Sequence, residues 1–170
     1  LSVDSSDVAR LFRKHSPLVY ARALRLLGSR SEAEEVTQDA FVRLLTTTSN
    51  APAGNQTVPW LCTLTTNLCL NRLRDHERHD LLHATVLQHT QDAEPAQQPV
   101  LVQMRRLLAR ADEKLARAAV YVLVDGMTHE EAAEYLEVSP RTVGNFIDRF
   151  KEWALRDMEG ADGGLSGEES

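Results

Sequence analysis

The sequence predicts an all-α protein of two small helical domains joined by a flexible linker, the second a helix-turn-helix. Three observations predict it. Glycine (8) and proline (6) are scarce among 170 residues, while Leu, Ala, Arg and Glu, which favour helices, are common. Apolar residues recur at three- and four-residue spacing along most of the chain, and no stretch alternates as a strand would. Between two such periodic blocks, residues 88–99 read QHTQDAEPAQQP, polar and aperiodic with two prolines, the composition of a linker. The boundaries that follow are a first domain over 1–80, a linker over 81–99, a second domain over 100–158 and a disordered acidic tail over 159–170.

The elements follow in order. Val8, Leu11 and Phe12 begin an apolar stripe, and Ser16-Pro17 reads as a cap and first helical position, which predicts a new helix there. Leu18, Val19, Ala23, Leu26 and Leu27 continue the stripe to Gly28, a helix end. Ser31 and Glu34 have capping-box spacing. The helix they open, over 31–45, carries Val36, Ala40, Phe41 and Leu44 on one side and Glu35, Gln38, Asp39 and Arg43 on the other. Residues 46–58, TTTSNAPAGNQTV, form a polar loop. Pro59 and Trp60 lead into a long helix with Leu61, Leu64 and Leu68 at core spacing. Trp60 is read first as a core anchor, with a stacking platform as the alternative. Periodicity resumes at Val100 with Met104, Leu107, Leu108 and Ala111. A helix over about 113–124 follows, and then an Asp125-Gly126 turn.

Bulk properties exclude several classes. No apolar run reaches the ~18 residues that span a bilayer, and the N-terminus lacks a signal-peptide pattern, so a cytoplasmic protein without membrane insertion is expected. A net charge of −6 opposes tight, independent binding to phosphate. It fits a chain whose larger partner supplies much of the attraction. Cys62 and Cys69, seven apart on one helix, are ~10 Å apart along its axis and cannot pair; buried, inert thiols are expected. His76, His79 and His83 share a helix face, but no cysteine or carboxylate trio completes a ligand set, so neither metal nor cofactor is expected. No nucleophile–base pair, phosphate loop or H-E-x-x-H pattern supports an enzyme.

Residues 128–150 read as helix, three-residue turn, helix. Thr128 and Glu131 form a capping box, and Ala132, Ala133 and Leu136 face inward. Glu137-Val138-Ser139 is the turn, Ser139 the N-cap and Pro140 the first helical residue. Val143, Phe146, Ile147 and Phe150 fall at i, i+3, i+4 and i+7, leaving Arg141, Gly144, Asn145, Asp148 and Arg149 outside. Such a second helix can enter the major groove N-terminus first. Arg141 can pair with guanine or a phosphate, and Asn145 with adenine. Thr142 is read as a phosphate or backbone contact, and Gly144 as a point of close approach to DNA. Asp148 would have to accept from cytosine or pair with an arginine. A two-helix corner that binds nothing has the same pattern.

The first half gives this a context. Ala33, Glu34, Glu35, Val36, Gln38 and Phe41 match an A-E-D-L-x-Q-x-x-F stretch. Trp60, Leu61, Leu64, Asn67, Asn71 and Arg74 match W-L-x-x-I-A-x-N-x-x-x-D-x-x-R, with Asn71 where Asp is usual. Gly126, Thr128, Glu131, Ala132, Ala133, Leu136, Val138, Ser139, Thr142 and Val143 match G-x-[ST]-x-x-E-I-A-x-x-L-G-[VI]-S-x-x-T-V, with Glu137 where Gly is usual. In these motifs and their order the chain resembles bacterial RNA polymerase sigma factors of the two-domain extracytoplasmic-function type, over about residues 8–156.

The resemblance implies a role for each part. The first domain would be region 2, with Glu35, Gln38, Asp39 and Arg43 docking on the clamp helices of core RNA polymerase. The 46–58 loop would take an extruded base of the minus-ten element. Asn67, Asn71, Arg72 and Arg74 would hold the non-template strand of promoter DNA. The second domain would be region 4, reading the minus-thirty-five element through Arg141, Thr142, Asn145 and Arg149. An anti-sigma factor is a further implied partner. The DHERHD run at 75–80 departs from the basic run of many relatives. It keeps open a sigma-like adaptor that binds polymerase but not DNA, beside a stand-alone helix-turn-helix regulator.

Overall fold

The computed structural model describes residues 5–47, 54–82 and 99–162. Its regular elements are all helical, as the sequence predicts. The chain divides into two compact units at Arg106 and Leu107, each with its own core. No described helix is long and apolar enough to cross a membrane.

Three helices build the first unit. Helix α1 spans Ser5–Leu27 and runs straight through Pro17, so the break expected at Ser16-Pro17 does not occur. An interior proline costs a helix ~3 kcal/mol, but Val8, Val19, Ala23, Leu26 and Leu27 are all buried. Each large apolar side chain among them contributes ~1.5–3 kcal/mol, so two of them outweigh the proline. Pro17 and Arg13 are exposed, and water can meet the carbonyl that the ring leaves unpaired. Gly28 ends the helix at φ 70, a conformation that favours glycine. The last carbonyls of α1 also receive a cation: Arg105 donates from Nε to the Leu26 carbonyl at 2.9 Å and from Nη2 to that of Arg25 at 3.3 Å.

Helix α2 spans Arg30–Thr46 and its N-cap is Ser29, whose side chain accepts from the Glu32 amide. The capping residue therefore stands two positions before the expected Ser31. Ser29 and Glu32 have the same spacing as Ser31 and Glu34, and the chain leaving Gly28 reaches the earlier pair first. Ala33, Val36, Thr37, Ala40, Phe41 and Leu44 are buried. Helix α3 spans Thr57–Leu82 after a short 3-10 turn at Gly54–Gln56, so Thr57, Val58, Leu81 and Leu82 are helical rather than loop or linker. Residues 48–53 and 83–98, the rest of the expected loop and most of the linker, lie outside the described residues. Leu61, Leu68, Cys69, Leu70 and Leu73 fill the core, while Leu64 and Trp60 are only half-buried. Arg22 reaches into this core at 8% exposure and donates from Nε and Nη2 to Thr66 Oγ1 at 3.1 and 2.8 Å. Thr66 in turn donates to the Cys62 carbonyl at 2.8 Å, so the buried hydroxyl is satisfied on both sides.

Helix α4, Pro99–Arg110, carries the boundary between the units, and its Leu107 and Leu108 are buried. Asp112 caps α5, Glu113–Ala119, by accepting from the Lys114 amide. The helix expected over 113–124 changes pitch at Val120: residues Val120–Val124 wind as a π turn, with the Asp125 amide donating to the Val120 carbonyl at 2.9 Å. Gly126 at φ 72 then turns the chain. Helices α6, His129–Leu136, and α7, Pro140–Asp162, complete the unit. Ala118, Tyr121, Ala132, Ala133, Val143 and Ile147 form one buried cluster. α7 continues past Met158, so residues 159–162 of the expected tail are helical, and 163–170 lie outside the described residues.

Candidate nucleic-acid and protein interfaces

The second unit presents two capped helices at a tight turn. Thr128 accepts from the Glu131 amide at 3.1 Å while Glu131 Oε2 accepts from the Thr128 amide at 2.8 Å, a complete capping box. Glu137 ends α6 in the left-handed region at φ 55, ψ 42, its amide donating to the Ala133 carbonyl. Ser139 then accepts from the Thr142 amide at 3.2 Å, and its Oγ lies 2.9 Å from Thr142 Oγ1. Both N-caps stand where the sequence puts them, because each is a local contact three residues long.

Packing fixes which face of α7 stays outside. Val143, Ile147 and Phe150 are buried. Arg141, Asn145, Asp148 and Arg149 are exposed and Thr142 is half-buried. Arg141, Asn145 and Arg149 stand at i, i+4 and i+8, one side of the helix, and none has a side-chain partner among the described residues. Three unengaged donors near the head of a helix can meet base edges or phosphates. Gly144 differs from expectation. A Cβ there would lie 3.5 Å from His129 Nδ1 and 3.6 Å from Cε1, so the imidazole at the head of α6 borders this position rather than open solvent.

The first unit offers two faces. On α2, Glu35, Gln38, Asp39 and Arg43 are exposed together, as the periodicity requires. Val42 and Leu45 are also exposed, at 55% and 42%. Sequence reasoning missed them as surface features; their only signal is that they fall off the stripe of Val36, Ala40 and Leu44. On α3, Asn67, Asn71 and Arg74 share a face at i, i+4 and i+7. Arg74 Nη1 stands 3.5 Å from Asn71 Oδ1, whereas Asn67 Oδ1 and Arg74 Nη2 are buried without a hydrogen-bond partner. Buried polar atoms usually have partners, so this face has capacity for more.

Arg72 stands apart from its expected companions. It donates to Glu35 at 2.6 Å and to Asp39 at 3.4 Å. Burial lowers its pKa, but the hydrogen bonds and charges of Glu35 and Asp39 outweigh this and the net direction is upward. Two of the expected polymerase contacts thus hold one of the expected DNA contacts.

His76 Nε2 lies 2.6 Å from Glu32 Oε1, and no metal-ligating group of three occurs among the described residues; His83 is outside them. A cavity of about 270 Å³ is lined by Arg10, Leu11, Lys14, His15, Gly54 and Thr57. Burial, then the Lys14 charge, lower the His15 pKa. No sequence signal marks this set, since α1 and the head of α3 meet only in the fold.

Comparison with known proteins gives these faces relatives. Residues 11–79 match the family model described as Sigma-70 region 2. The chain is 33% identical over 157 residues to the ECF RNA polymerase sigma factor SigE of Mycolicibacterium smegmatis, covering 86% of this chain and 59% of that protein. It is 28% identical over 134 residues to the RNA polymerase sigma factor CarQ of Myxococcus xanthus, 76% of each. The chain thus spans about three fifths of the length of the first of these relatives. Among solved structures it is similar to the sigma factor RpoE in complex with the anti-sigma factor NepR from Bartonella quintana, with TM-score 0.52 at 18% identity over 90% of this chain and 97% of that one. CnrH in complex with the cytosolic domain of CnrY gives TM-score 0.52 at 21% identity over 94% and 91%. At these identities the two structures speak to fold alone.

Proposed function

We propose that the chain is an extracytoplasmic-function RNA polymerase sigma factor, which binds core RNA polymerase and directs promoter recognition and opening, with no catalysis of its own. The observation that carries this reading is one chain holding both a sigma-70 region 2 match over residues 11–79 and a separately capped helix-turn-helix. In this reading region 2 runs to the end of α3 at Leu82, and region 4 runs from α4 to about residue 158. The outer face of α2, through Glu35, Gln38, Asp39 and Arg43, docks on polymerase. Opposite charge there would steer association. Asn67, Asn71, Arg72 and Arg74 hold the separated non-template strand. Arg141, Thr142, Asn145 and Arg149 read duplex DNA upstream. The reading also puts the chain in the cytoplasm, with an anti-sigma protein as a second partner; RpoE was solved with one.

Reconstitution with core polymerase and transcription from a promoter library tests the proposal. Start-site-specific transcripts that depend on the chain are expected. Replacing Arg141 and Asn145 by Ala should shift promoter choice, since each bidentate base contact discriminates by ~1–3 kcal/mol. A stand-alone regulator would bind a palindromic operator as a dimer without polymerase. An adaptor would bind polymerase and yield no transcript. Unchanged promoter selection by the double variant would refute Arg141 and Asn145 as base readers.

A further inference from the structure

Arg72 connects the two faces of the first unit. We propose that it is an internal ligand of the acidic face of α2, and that a cationic partner docking on Glu35 and Asp39 displaces it and frees it for the DNA strand. The inference rests on the function proposed above.

The geometry is that of an exchangeable contact. One guanidinium spans two carboxylates a helical turn apart, 2.6 Å from Glu35 Oε2 and 3.4 Å from Asp39 Oδ2. The carboxylates are 60% and 55% exposed and the Arg72 side chain 27%. An incoming arginine or lysine can therefore reach the acids without unfolding anything. Ion pairs this exposed are individually weak, so a partner offering several contacts can replace them. Deprotonation of Arg72 cannot open the contact near neutral pH, because arginine keeps its charge. Competition by another cation can.

Displacement matters because of where Arg72 sits. It is the neighbour of Asn71, ~100° round the helix from it, and Asn71 shares its face with Asn67 and Arg74. While Arg72 is held toward α2, that face lacks a cation it could otherwise use. Release couples the two binding events: a partner on α2 strengthens strand binding on α3, and strand binding strengthens the partner by the same factor. Breaking two exposed ion pairs sets that factor at about three- to tenfold.

A mutant cycle on the whole chain tests this by anisotropy of a fluorescein-labelled, mixed-sequence single-stranded DNA. Glu35→Gln with Asp39→Asn should tighten binding by about three- to tenfold, and the gain should vanish when Arg72→Ala is added. Removing two negative charges would aid DNA binding generally, so a gain that persists in the Arg72→Ala background overturns the proposal, as does no gain at all. If the paired replacement loosens the fold in a thermal melt, each single replacement should show the same Arg72 dependence at smaller size. In complex with core RNA polymerase, Arg72→Ala should weaken strand binding by more than it does in the free chain, the excess matching the gain that the paired replacement gives there. Equal effects in both states overturn the proposal. The free-chain cycle needs no polymerase, so a chain that fails to bind polymerase sinks the proposed function separately.

Discussion

Replacing Glu137 by Gly should stabilise the second unit, and the structure sets the size of the gain. Glu137 holds φ 55, ψ 42 at the C-cap of α6. A left-handed conformation costs a residue with a Cβ ~1–2 kcal/mol. Its carboxylate also stands at the negative end of the helix dipole, unfavourable by ~0.3–1 kcal/mol for an exposed group. Against this, glycine adds ~0.5–1 kcal/mol of chain entropy to be lost on folding. The balance is a gain of about 1 kcal/mol, which for a unit this small raises Tm by ~4–8 °C. Urea unfolding followed by Trp153 fluorescence in a Trp60→Phe background reports on this unit alone, because the two tryptophans lie in different units. Glu137→Gln separates the contributions: it removes the charge and keeps the backbone conformation, so it should recover only the dipole part. If Glu137→Gly proves no more stable than Glu137→Gln, the backbone argument fails.

Two further outcomes follow from the same kind of reasoning. Gly144→Ala should raise the urea midpoint of the second unit by the equivalent of ~1 kcal/mol, because the new methyl would meet His129 only at ordinary contact distance, 3.5 Å; an unchanged or lower midpoint means His129 cannot accommodate it. Cys69 supplies a pH dependence: burial pushes its thiol up to about 12 from 9.0, Arg22 and Arg72 oppose this, and Glu32 adds to it. The folded state therefore keeps a proton that the unfolded state loses above 9.0. Stability from this group is complete below that pH and falls by ~1.4 kcal/mol per unit as pH rises toward the folded value. Urea midpoints of wild type and Cys69→Ala should diverge accordingly above about pH 9, and parallel pH profiles would refute the assignment.

What the sequence made legible was local. Ser139, Thr128 with Glu131, and the stripe Val143, Ile147, Phe150 are each decided within one or two turns, and the structure has them as read. The errors came where distant residues decide. Pro17 signals a helix start by itself, but burial of Val19, Ala23 and Leu26 against other helices overrides it. Two overlapping S-x-x-E patterns surround α2, and propensity cannot choose between them. The π turn at Val120–Val124 has no pattern in a period-3.6 reading, since it appears only as one amide reaching a carbonyl five residues back. Arg22 to Thr66 and Arg72 to Glu35 join residues 44 and 37 positions apart. Composition identifies none of these partners, and Arg72 is where that gap affects the functional reading most.

The distribution of charge explains more than its total. The net value of −6 is not spread evenly. Helix α1 carries Arg10, Arg13, Lys14, Arg22 and Arg25 against Asp7 among its described side chains. Helix α4 has Arg105, Arg106 and Arg110 and no acid. Among the described helices, acid is in clearest excess on α2, where Glu32, Glu34, Glu35 and Asp39 outnumber Arg30 and Arg43, and on α6, with Glu130, Glu131 and Glu134 and no lysine or arginine; the rest of the excess lies mainly outside these helices. The position on α6 has a direct consequence for DNA. In a helix-turn-helix the first helix crosses the phosphate backbone while the second enters the groove, so the three exposed acids of α6 oppose the approach that Arg141 and Arg149 favour. At ~0.1 M salt, charges within ~10 Å still feel one another, which covers the first turns of both helices. On the proposed function, weak binding to duplex DNA is expected of the free chain, and its source would be the second unit itself rather than the whole-chain average. On the same reading, a partner that fixes this unit over its site would compensate by supplying proximity, leaving the unengaged donors of Arg141 and Asn145 to discriminate bases.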